Sequence, residues 1–450
     1  MGQFDQKEDY LELMKGQIRC KKAKNLVAEE IDHHIEDQKA SYMGEGDDEN
    51  LAMGKALEQM GDPIEVGKRL DKIHKPRIEW HILLVVLVLC CFGVLAQFSM
   101  EKSIDGVKLP YNMNVGKHII FIAVGFLLMV TVYFLDYAIL GKYPKAIWVL
   151  LLAGIILYAP FGARINGHLP YLYAYGMLFI PVYGGILYAY RRKGYIGIIK
   201  CLLFSVVASM IELQFAVQSS VYLGLIFSSL IMLSAAVLKD WFGTSKRKAM
   251  AIIWGWTPIA LFTLILLDIS IFSQNLINRF QSLIETILHP ELFEKGYQMN
   301  AARQVISHAQ LFGGSNDFTI GYLPGLNNDY ILTYVMGKWG IVAGILIICL
   351  FITFIGRMIY IASKQKNPLG NFVGLGCSLV FAVQGSVYIL SNLGIQFIGQ
   401  VNLPFVSNGG VSLFTNFIVL GIMLSVFRNT NIAKEVPYKK KFLINIERVK

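Results

Sequence analysis

Residues 323–340 read LPGLNNDYILTYVMGKWG, and this stretch passes from a polar loop into an apolar run that continues to about residue 355. Its only acidic residue, Asp329, falls where the loop would meet a membrane. Carboxylates are uncommon at such a boundary and usually have a functional reason to be there. Two interpretations stay open, because Asp329 fits either a general base activated by desolvation or a residue that caps the following helix.

The composition predicts an integral membrane protein. The chain has 450 residues, 55% of them are hydrophobic, and a soluble fold could not bury that much apolar surface. The net charge is +10, but the Lys and Arg residues lie between apolar runs and form no basic patch with interleaved aromatics. We therefore expect no nucleic-acid partner. The six cysteines lack CxxC spacing, so neither a metal site nor a disulfide framework is predicted.

Residues 1–78 are polar and predict a small helical head. Apolar residues recur at helical spacing between Tyr10 and Tyr42, and a second helix fits residues 49–60. Asp62 followed by Pro63 predicts the capped start of a third helix. The head contains no catalytic motif, so we expect it to dock on the inner face of the membrane or on a partner protein.

From residue 79 onward, apolar runs alternate with short polar breaks, and about ten of these runs have membrane length. The predicted transmembrane domain covers residues 79–428, and a basic tail follows at 429–450. The runs lie near 80–99, 118–136, 144–161, 171–190, 195–215, 218–238, 250–272, 329–356, 371–393 and 405–427.

The distribution of positive charge predicts the orientation of this domain. An even number of spans places both termini on one side, and Lys and Arg clusters follow the fourth, sixth, eighth and tenth runs. Positive charge accumulates on the cytoplasmic side of membrane proteins. The sequence therefore predicts an all-α polytopic membrane protein with both termini and the head in the cytoplasm.

One long loop, at about 273–328, falls on the opposite, extracellular side. Loops of that length are usually functional, so we expect the active site there. A turn before the tenth run, LPFVSNGG from Leu403 to Gly410, lies on the same side. Its proline and paired glycines suggest a broken helix or re-entrant turn that lines a cavity, although an ordinary loop is the alternative.

Polar side chains of the outer loops supply further candidates. Arg279, Gln298 and Arg303 lie in the long loop, where the arginines could clamp a pyrophosphate bidentately. Solvated loop arginines are the alternative. Arg164 and His168, after the third run, fit surface residues better.

The main charge within the apolar runs is Glu212, and intramembrane charges are otherwise few. Ion-coupled transporters more often contain several such charges.

The ordered set of motifs resembles the SEDS family (shape, elongation, division and sporulation), whose members are RodA- and FtsW-like. The resemblance covers roughly residues 80–430 and is more specific than any single motif. The matching residues are Asp136-Tyr137, Gly296-Tyr297-Gln298, Leu323-Pro324, Asp329-Tyr330-Ile331, Gly340, Leu403-Pro404-Phe405, Ser407, Gly409, Gly410 and Ser412.

This resemblance implies a peptidoglycan glycosyltransferase of cell-wall synthesis. Such enzymes polymerise lipid II, a disaccharide-pentapeptide on undecaprenyl pyrophosphate, at the outer face of the bacterial cytoplasmic membrane, usually with a class B penicillin-binding protein. Asp329 matches the essential aspartate and would take the proton from the acceptor sugar hydroxyl. Loop arginines or a divalent cation, Mg²⁺ or Mn²⁺, would stabilise the departing pyrophosphate. The implied substrate-binding residues are Arg279, Gln298, Arg303, Ser407, Gly409 and Gly410.

The sequence also departs from the family pattern. Gly337 and Lys338 stand where an acidic pair is usual, Leu213 follows Glu212 where the family has Pro-Asp, and Asn408 replaces a tyrosine. These losses leave two alternatives open. One is a non-catalytic SEDS relative that binds lipid-linked precursor or scaffolds a cell-wall synthase, and the other is a lipid-linked precursor flippase.

Overall fold

The computed structural model describes residues 3–74, 78–103, 114–162, 169, 172–216, 219–271, 281, 284–285, 288, 297–314, 325–326, 328–395 and 401–430. These residues form two compact units, whose main segments are Met1–Ile78 and Glu79–Val426. All regular secondary structure in the described ranges is helical, which confirms the predicted all-α class.

The first unit contains four helices, α1 (Gln3–Gln17), α2 (Lys21–Gly44), α3 (Glu49–Met60) and α4 (Pro63–His74). Their apolar faces pack around a core that includes Met14, Ile18 and Ile35, all almost fully buried. The carboxylate of Asp62 accepts hydrogen bonds from the first turn of α4, at 3.3 Å from both Ile64 N and Glu65 N, as its sequence predicts.

The prediction of one helix between Tyr10 and Tyr42 is wrong, because the chain breaks between α1 and α2. At the break, the buried carboxylate of Asp71 accepts from the backbone N of Arg19 at 2.9 Å. The same carboxylate binds the Arg19 guanidinium through Nε at 3.0 Å and Nη2 at 2.9 Å. A contact across 52 residues thus supplies a partner for a backbone N–H at the break, and helical periodicity does not reveal such a contact.

The second unit contains the remaining helices whose bounds lie within the described residues. In chain order they are α5 (Trp80–Ser103), α6 (Val115–Phe134), α7 (Ala138–Lys142), α8 (Pro144–Tyr158), α9 (Leu172–Gly176), α10 (Phe179–Tyr190), α11 (Gly194–Ala216), α12 (Ser219–Leu238), α13 (Lys246–Ile271), α14 (Tyr297–Ser307), α15 (Ile331–Trp339), α16 (Ile341–Ser363), α17 (Pro368–Asn392) and α18 (Gly410–Arg428).

Within the described residues, eight segments are long and apolar enough to cross a membrane. They are α5, α6, the α9–α10 pair, α11, α12, α16, α17 and α18. The third and seventh predicted runs correspond to α8, which has 15 residues, and α13, which has 26. Each of the ten predicted runs therefore overlaps at least one helix, and the expectation of a polytopic membrane protein is confirmed.

The eighth predicted run, 329–356, is not one helix. Helix α15 ends at Trp339. The next residue, Gly340, has a φ of +103° that favours glycine, and α16 starts directly after it. A Cβ at Gly340 would lie 2.6 Å from the backbone O of Leu311, so a larger residue would collide there. The break is closed by hydrogen bonds from Ile341 N to Gln310 O (2.9 Å) and from Gly313 N to Trp339 O (3.1 Å). The spanning segment is therefore Ile341–Ser363, and Asp329 precedes a short separate helix.

Helix α17 is a central element of the second unit and packs against both α10 and α16. Glycines allow the close approach to α10. A Cβ at Gly184 would lie 2.9 Å from the backbone C of Phe372, and one at Gly376 would lie 2.9 Å from the backbone O of Ile180. Small residues at such contacts let helix backbones approach within a membrane. This packing places the end of α17 beside the segment that contains Asp329.

Candidate functional site

Asp329 lies in a tight turn that precedes α15. Its backbone N donates to the carbonyl O of Gly325 at 2.7 Å, and the backbone N of Asn328 donates to the same oxygen at 3.0 Å. Gly325 has a φ of +69°, and a Cβ on it would lie 2.8 Å from Asp329 Oδ2. The turn therefore folds the carboxylate back over Gly325, where a side chain would be strained by the positive φ and would require the carboxylate to shift.

The environment of Asp329 suits proton transfer. Burial raises the pKa of the Asp329 carboxyl from its ordinary value of 3.8 to about 7, because desolvation disfavours the charged form. A carboxyl whose pKa lies near neutrality can act as a general base at physiological pH. The capping interpretation is wrong, since the residue at the N-cap position of α15 is Tyr330.

The predicted turn from Leu403 to Gly410 does converge with Asp329. The hydroxyl of Ser407 donates to the backbone O of Asn328 at 2.6 Å and accepts from the backbone N of Leu403 at 3.0 Å. The Ser407 hydroxyl thus joins the turn from Leu403 to Gly410 (the final turn) to the turn that contains Gly325, Asn328 and Asp329 (the Asp329 turn). This geometry favours a positioning role for Ser407, and the predicted contact with substrate stays a prediction.

Aromatic packing anchors the final turn. Phe405 is fully buried and has a φ of +67°, a left-handed conformation that costs roughly 1–2 kcal/mol for an L-residue. Its ring centroid lies 5.8 Å from that of Phe354, 5.5 Å from Phe381 and 5.2 Å from Phe417. Edge-to-face and tilted contacts of this kind offset the backbone cost and hold the turn in one conformation.

The two glycines of the turn lie at close contacts. A Cβ on Gly409 would overlap the side-chain amide of Asn402, and a Cβ on Gly410 would lie 3.1 Å from the ring of Phe121 in α6. A larger residue at either position would therefore require the Asn402 side chain or the Phe121 ring to shift. Their predicted role in binding substrate stays a prediction.

The predicted loop residues are only partly placed. Arg303 lies on α14 and its Nε donates to the backbone O of Gly394 at 3.0 Å, so it is not a simple solvated arginine. Gln298 is half-buried in the first turn of the same helix, which packs against α15 and α17. Arg279, Arg164 and His168 lie outside the described residues.

The structure adds residues that the motifs did not indicate. Tyr173 of α9 and Tyr388 of α17 are buried and lie within electrostatic range of the Asp329 carboxylate. Asn392, at the end of α17, donates from Nδ2 to the backbone O of Asp329 at 2.8 Å. The sequence did contain a pattern that could have indicated two of these residues. Tyr388 and Asn392 are polar residues four apart near the end of an apolar run, and they therefore share one helix face.

A divalent cation was one expected source of charge for the leaving pyrophosphate. Within the part of the chain that the structure describes, no group of three or more His, Cys, Asp or Glu side chains could hold a metal. Mg²⁺ is often bound by only one or two carboxylates together with substrate phosphates, so the divalent cation stays a prediction and we derive no catalytic step through one.

Comparisons with known proteins agree with the predicted family. The profile of the cell cycle protein family FtsW/RodA/SpoVE matches residues 186–432. The "probable peptidoglycan glycosyltransferase FtsW" of Bacillus subtilis is 23% identical over 371 residues, which cover 77% of this chain and 90% of that protein. The protein of the same name from Enterococcus hirae is 31% identical over 134 residues, and the match spans 34% of its length.

Solved structures share the fold. A chain of a peptidoglycan synthase complex that coordinates polymerization and crosslinking superposes with a TM-score of 0.59 at 17% identity, over 78% of this chain and 98% of that chain. The rod shape determining protein RodA of Thermus thermophilus superposes with a TM-score of 0.53 at 16% identity, over 78% and 97% of the two chains. The family profile covers more than half of the sequence, and the chain therefore belongs to the FtsW/RodA/SpoVE, or SEDS, family of multi-pass membrane proteins.

Proposed function

We propose that this chain is a peptidoglycan glycosyltransferase that polymerises lipid II, with Asp329 as its general base. The observation that carries the proposal is the Asp329 carboxyl itself, whose pKa is raised to about 7 by burial and whose turn is held by two other elements. Family membership supports the reaction, because the curated relatives are named probable peptidoglycan glycosyltransferases.

The proposed reaction needs one proton acceptor. The acceptor sugar hydroxyl attacks the anomeric carbon of the donor, and its proton passes to the Asp329 carboxylate as the new glycosidic bond forms. The bond between the anomeric carbon and the pyrophosphate breaks at the same time, and undecaprenyl pyrophosphate leaves with the electron pair. The Asp329 carboxyl then returns its proton to solvent. Arg279, Gln298 and Arg303 are the proposed pyrophosphate-binding residues.

The partners and the location are part of the proposal. Membrane lipid surrounds the transmembrane helices, and lipid II enters the active site from the bilayer. A class B penicillin-binding protein crosslinks the product. The enzyme lies in the bacterial cytoplasmic membrane with its catalytic side outward and with both termini, the head and the basic tail in the cytoplasm. The distribution of Lys and Arg between the apolar runs supports this orientation.

The alternative that an observation favours is a non-catalytic relative. The family's usual acidic pair is absent after Asp329, and Lys338 stands there as an exposed residue at the end of α15. A protein that binds lipid II without polymerising it would serve as a scaffold for a synthase. The flippase alternative, movement of lipid-linked precursor across the membrane, has no observation of its own.

The test is polymerisation of labelled lipid II by the purified full-length chain, with and without a class B penicillin-binding protein. We expect polymer from the wild type and a loss of about 100-fold or more from Asp329→Asn, because general base catalysis contributes about that much. Asp136→Asn is the matched control. Asp136 is a second acidic residue of the membrane unit, and its Oδ1 accepts from the backbone N of Ala138 at 3.1 Å, a bond that an asparagine oxygen preserves.

Each alternative outcome has a defined meaning. Equal polymerisation by Asp329→Asn and wild type would remove Asp329 as the base. Binding of lipid II without polymer from any variant would favour the scaffold. Movement of labelled lipid across liposomes without polymer would favour the flippase.

A further inference from the structure

The end of α17 contacts the Asp329 turn through one fully buried side chain, Asn392. Its Nδ2 donates to the backbone O of Asp329 at 2.8 Å and to the backbone O of Tyr388 at 3.0 Å. Its Oδ1 accepts from Thr333, at 3.0 Å from the backbone N and 3.0 Å from Oγ1. A carboxamide has two N–H donors and an oxygen with two lone pairs. Both donors are used here, and the oxygen accepts from the Thr333 amide and lies within reach of the Thr333 hydroxyl.

The hydroxyl of Thr333 has a second acceptor within reach. The single proton of the Thr333 hydroxyl can go to Asn392 Oδ1 or, also at 3.0 Å, to the backbone O of Asn392, a carbonyl in the last turn of α17. Carbonyls in the last turn of a helix lack partners within the helix and need others. The end of α17 and the start of α15 therefore satisfy each other's polar groups, and the two cannot separate without exposing buried donors and acceptors.

Asp329 is consequently held from two sides. Ser407 binds the carbonyl of Asn328 at 2.6 Å, and Asn392 binds the next carbonyl, that of Asp329, at 2.8 Å. These two partners belong to different parts of the chain, 79 and 63 residues away. With consecutive peptide groups fixed, the Asp329 side chain is attached to a backbone that cannot shift unless one of the two bonds breaks.

A buried amide in an apolar helix is costly unless it is fully hydrogen-bonded, and apolar residues would pack there without that requirement. We propose that Asn392 is a positioning residue, which holds the Asp329 carboxylate where it can reach the acceptor hydroxyl. This inference rests on the proposed function of Asp329. It extends that function by naming a residue that does not belong to the motifs by which the sequence resembles the family.

The test compares two asparagines of the same helix. Asn371 is also buried in α17, donates from Nδ2 to the backbone O of Ala362 at 2.7 Å and accepts from Lys239 Nζ at 2.6 Å. It lies about 30 Å from Asn392 along the helix, at 1.5 Å per residue. Asn392→Ala and Asn371→Ala therefore remove similar hydrogen bonds from opposite ends of one element. Asn392→Leu is a second variant, which fills the site with an apolar side chain and still removes every hydrogen bond of the carboxamide.

Polymerisation kinetics on labelled lipid II separate positioning from simple stability. We expect Asn392→Ala and Asn392→Leu to lower kcat by about 10- to 100-fold with KM within about threefold, because a misplacement near 1 Å has effects of that size. Asn371→Ala should lower Tm to a similar degree and leave kcat per folded molecule unchanged. A kcat equal to the wild-type value in both Asn392 variants would overturn the inference.

Hydrogen–deuterium exchange supplies a readout that does not depend on activity. Exchange in the peptide that covers residues 325–336 should accelerate in both Asn392 variants and stay at the wild-type rate in Asn371→Ala. Unchanged exchange in this peptide would overturn the inference even if kcat falls. If the wild-type chain makes no polymer, the proposed function fails, and the exchange experiment still decides whether Asn392 holds the Asp329 turn.

Discussion

The hydroxyl of Ser407 donates a 2.6 Å hydrogen bond to the backbone carbonyl of Asn328, the residue before Asp329. The same hydroxyl accepts from the backbone N of Leu403 at 3.0 Å. The final turn and the Asp329 turn thus share one buried side chain, although they lie 79 residues apart. Disturbing the final turn should therefore disturb the proposed base.

Ser407→Ala removes this shared hydroxyl and leaves the Asn328 carbonyl and the Leu403 amide without it. We expect a loss of about 1–3 kcal/mol of stability, the usual cost of an unsatisfied buried polar group, and a larger relative loss in polymerisation rate. Thermal unfolding in detergent and lipid II polymerisation measure the two effects. Ser378→Ala is the control, because the hydroxyl of Ser378 is also buried but donates only within α17, to Gly374 O at 2.9 Å. Equal losses in the two variants would contradict the coupling.

The rate of polymerisation should depend on the ionisation of Asp329. Burial raises the pKa of this carboxyl to about 7, so it is mostly protonated below that pH and cannot accept a proton. We expect kcat/KM to fall about tenfold per pH unit below neutrality and to level off above about pH 8. The measurement is a pH profile with binding of lipid II followed in parallel, since the substrate's own phosphates titrate. A wild-type profile that stays flat between about pH 5.5 and about pH 8 would remove Asp329 as the base.

The same ionisation should affect stability with a defined sign. The pKa of Asp329 is higher in the folded chain, about 7, than the ordinary 3.8 expected after unfolding. The stability contribution of the protonated carboxyl is complete below the unfolded pKa and is lost as pH rises through the folded pKa. The Asp329→Asn variant has no ionisable group at this position, so its Tm should match that of the wild type at about pH 4 and exceed it above about pH 7. A constant Tm difference across this pH range would contradict the shifted pKa.

Phe405→Ala should destabilise the final turn strongly. The ring packs among Phe354, Phe381 and Phe417, and replacing a buried phenylalanine with alanine usually costs about 3–5 kcal/mol. The left-handed backbone at Phe405 would lose the packing that offsets it. Thermal unfolding checks the loss against Phe126→Ala in α6, where the ring is 53% exposed and little should change. Similar Tm values for the two variants would show that the aromatic cluster does not hold the turn.

The sequence by itself determined the class of the protein, the approximate spans and the family. The features that led there are local: apolar runs of membrane length, glycine breaks and the capping pair Asp62-Pro63. Each depends only on the residues of one span or one turn. The ordered motifs also led to Asp329 and the turn from Leu403 to Gly410. These two features do meet, through the hydrogen bond from Ser407 to Asn328.

Only the tertiary structure decided how these parts are joined. The break at Gly340 depends on the backbone of Leu311 packing against it, and the break after α1 depends on Asp71 binding Arg19 across 52 residues. Asn392 reads in the sequence as one polar residue at the end of an apolar run, and its function follows from a partner 63 residues away. Contacts at such separations are set by helix packing, whereas the patterns that a sequence displays reflect only the residues of one turn or one span.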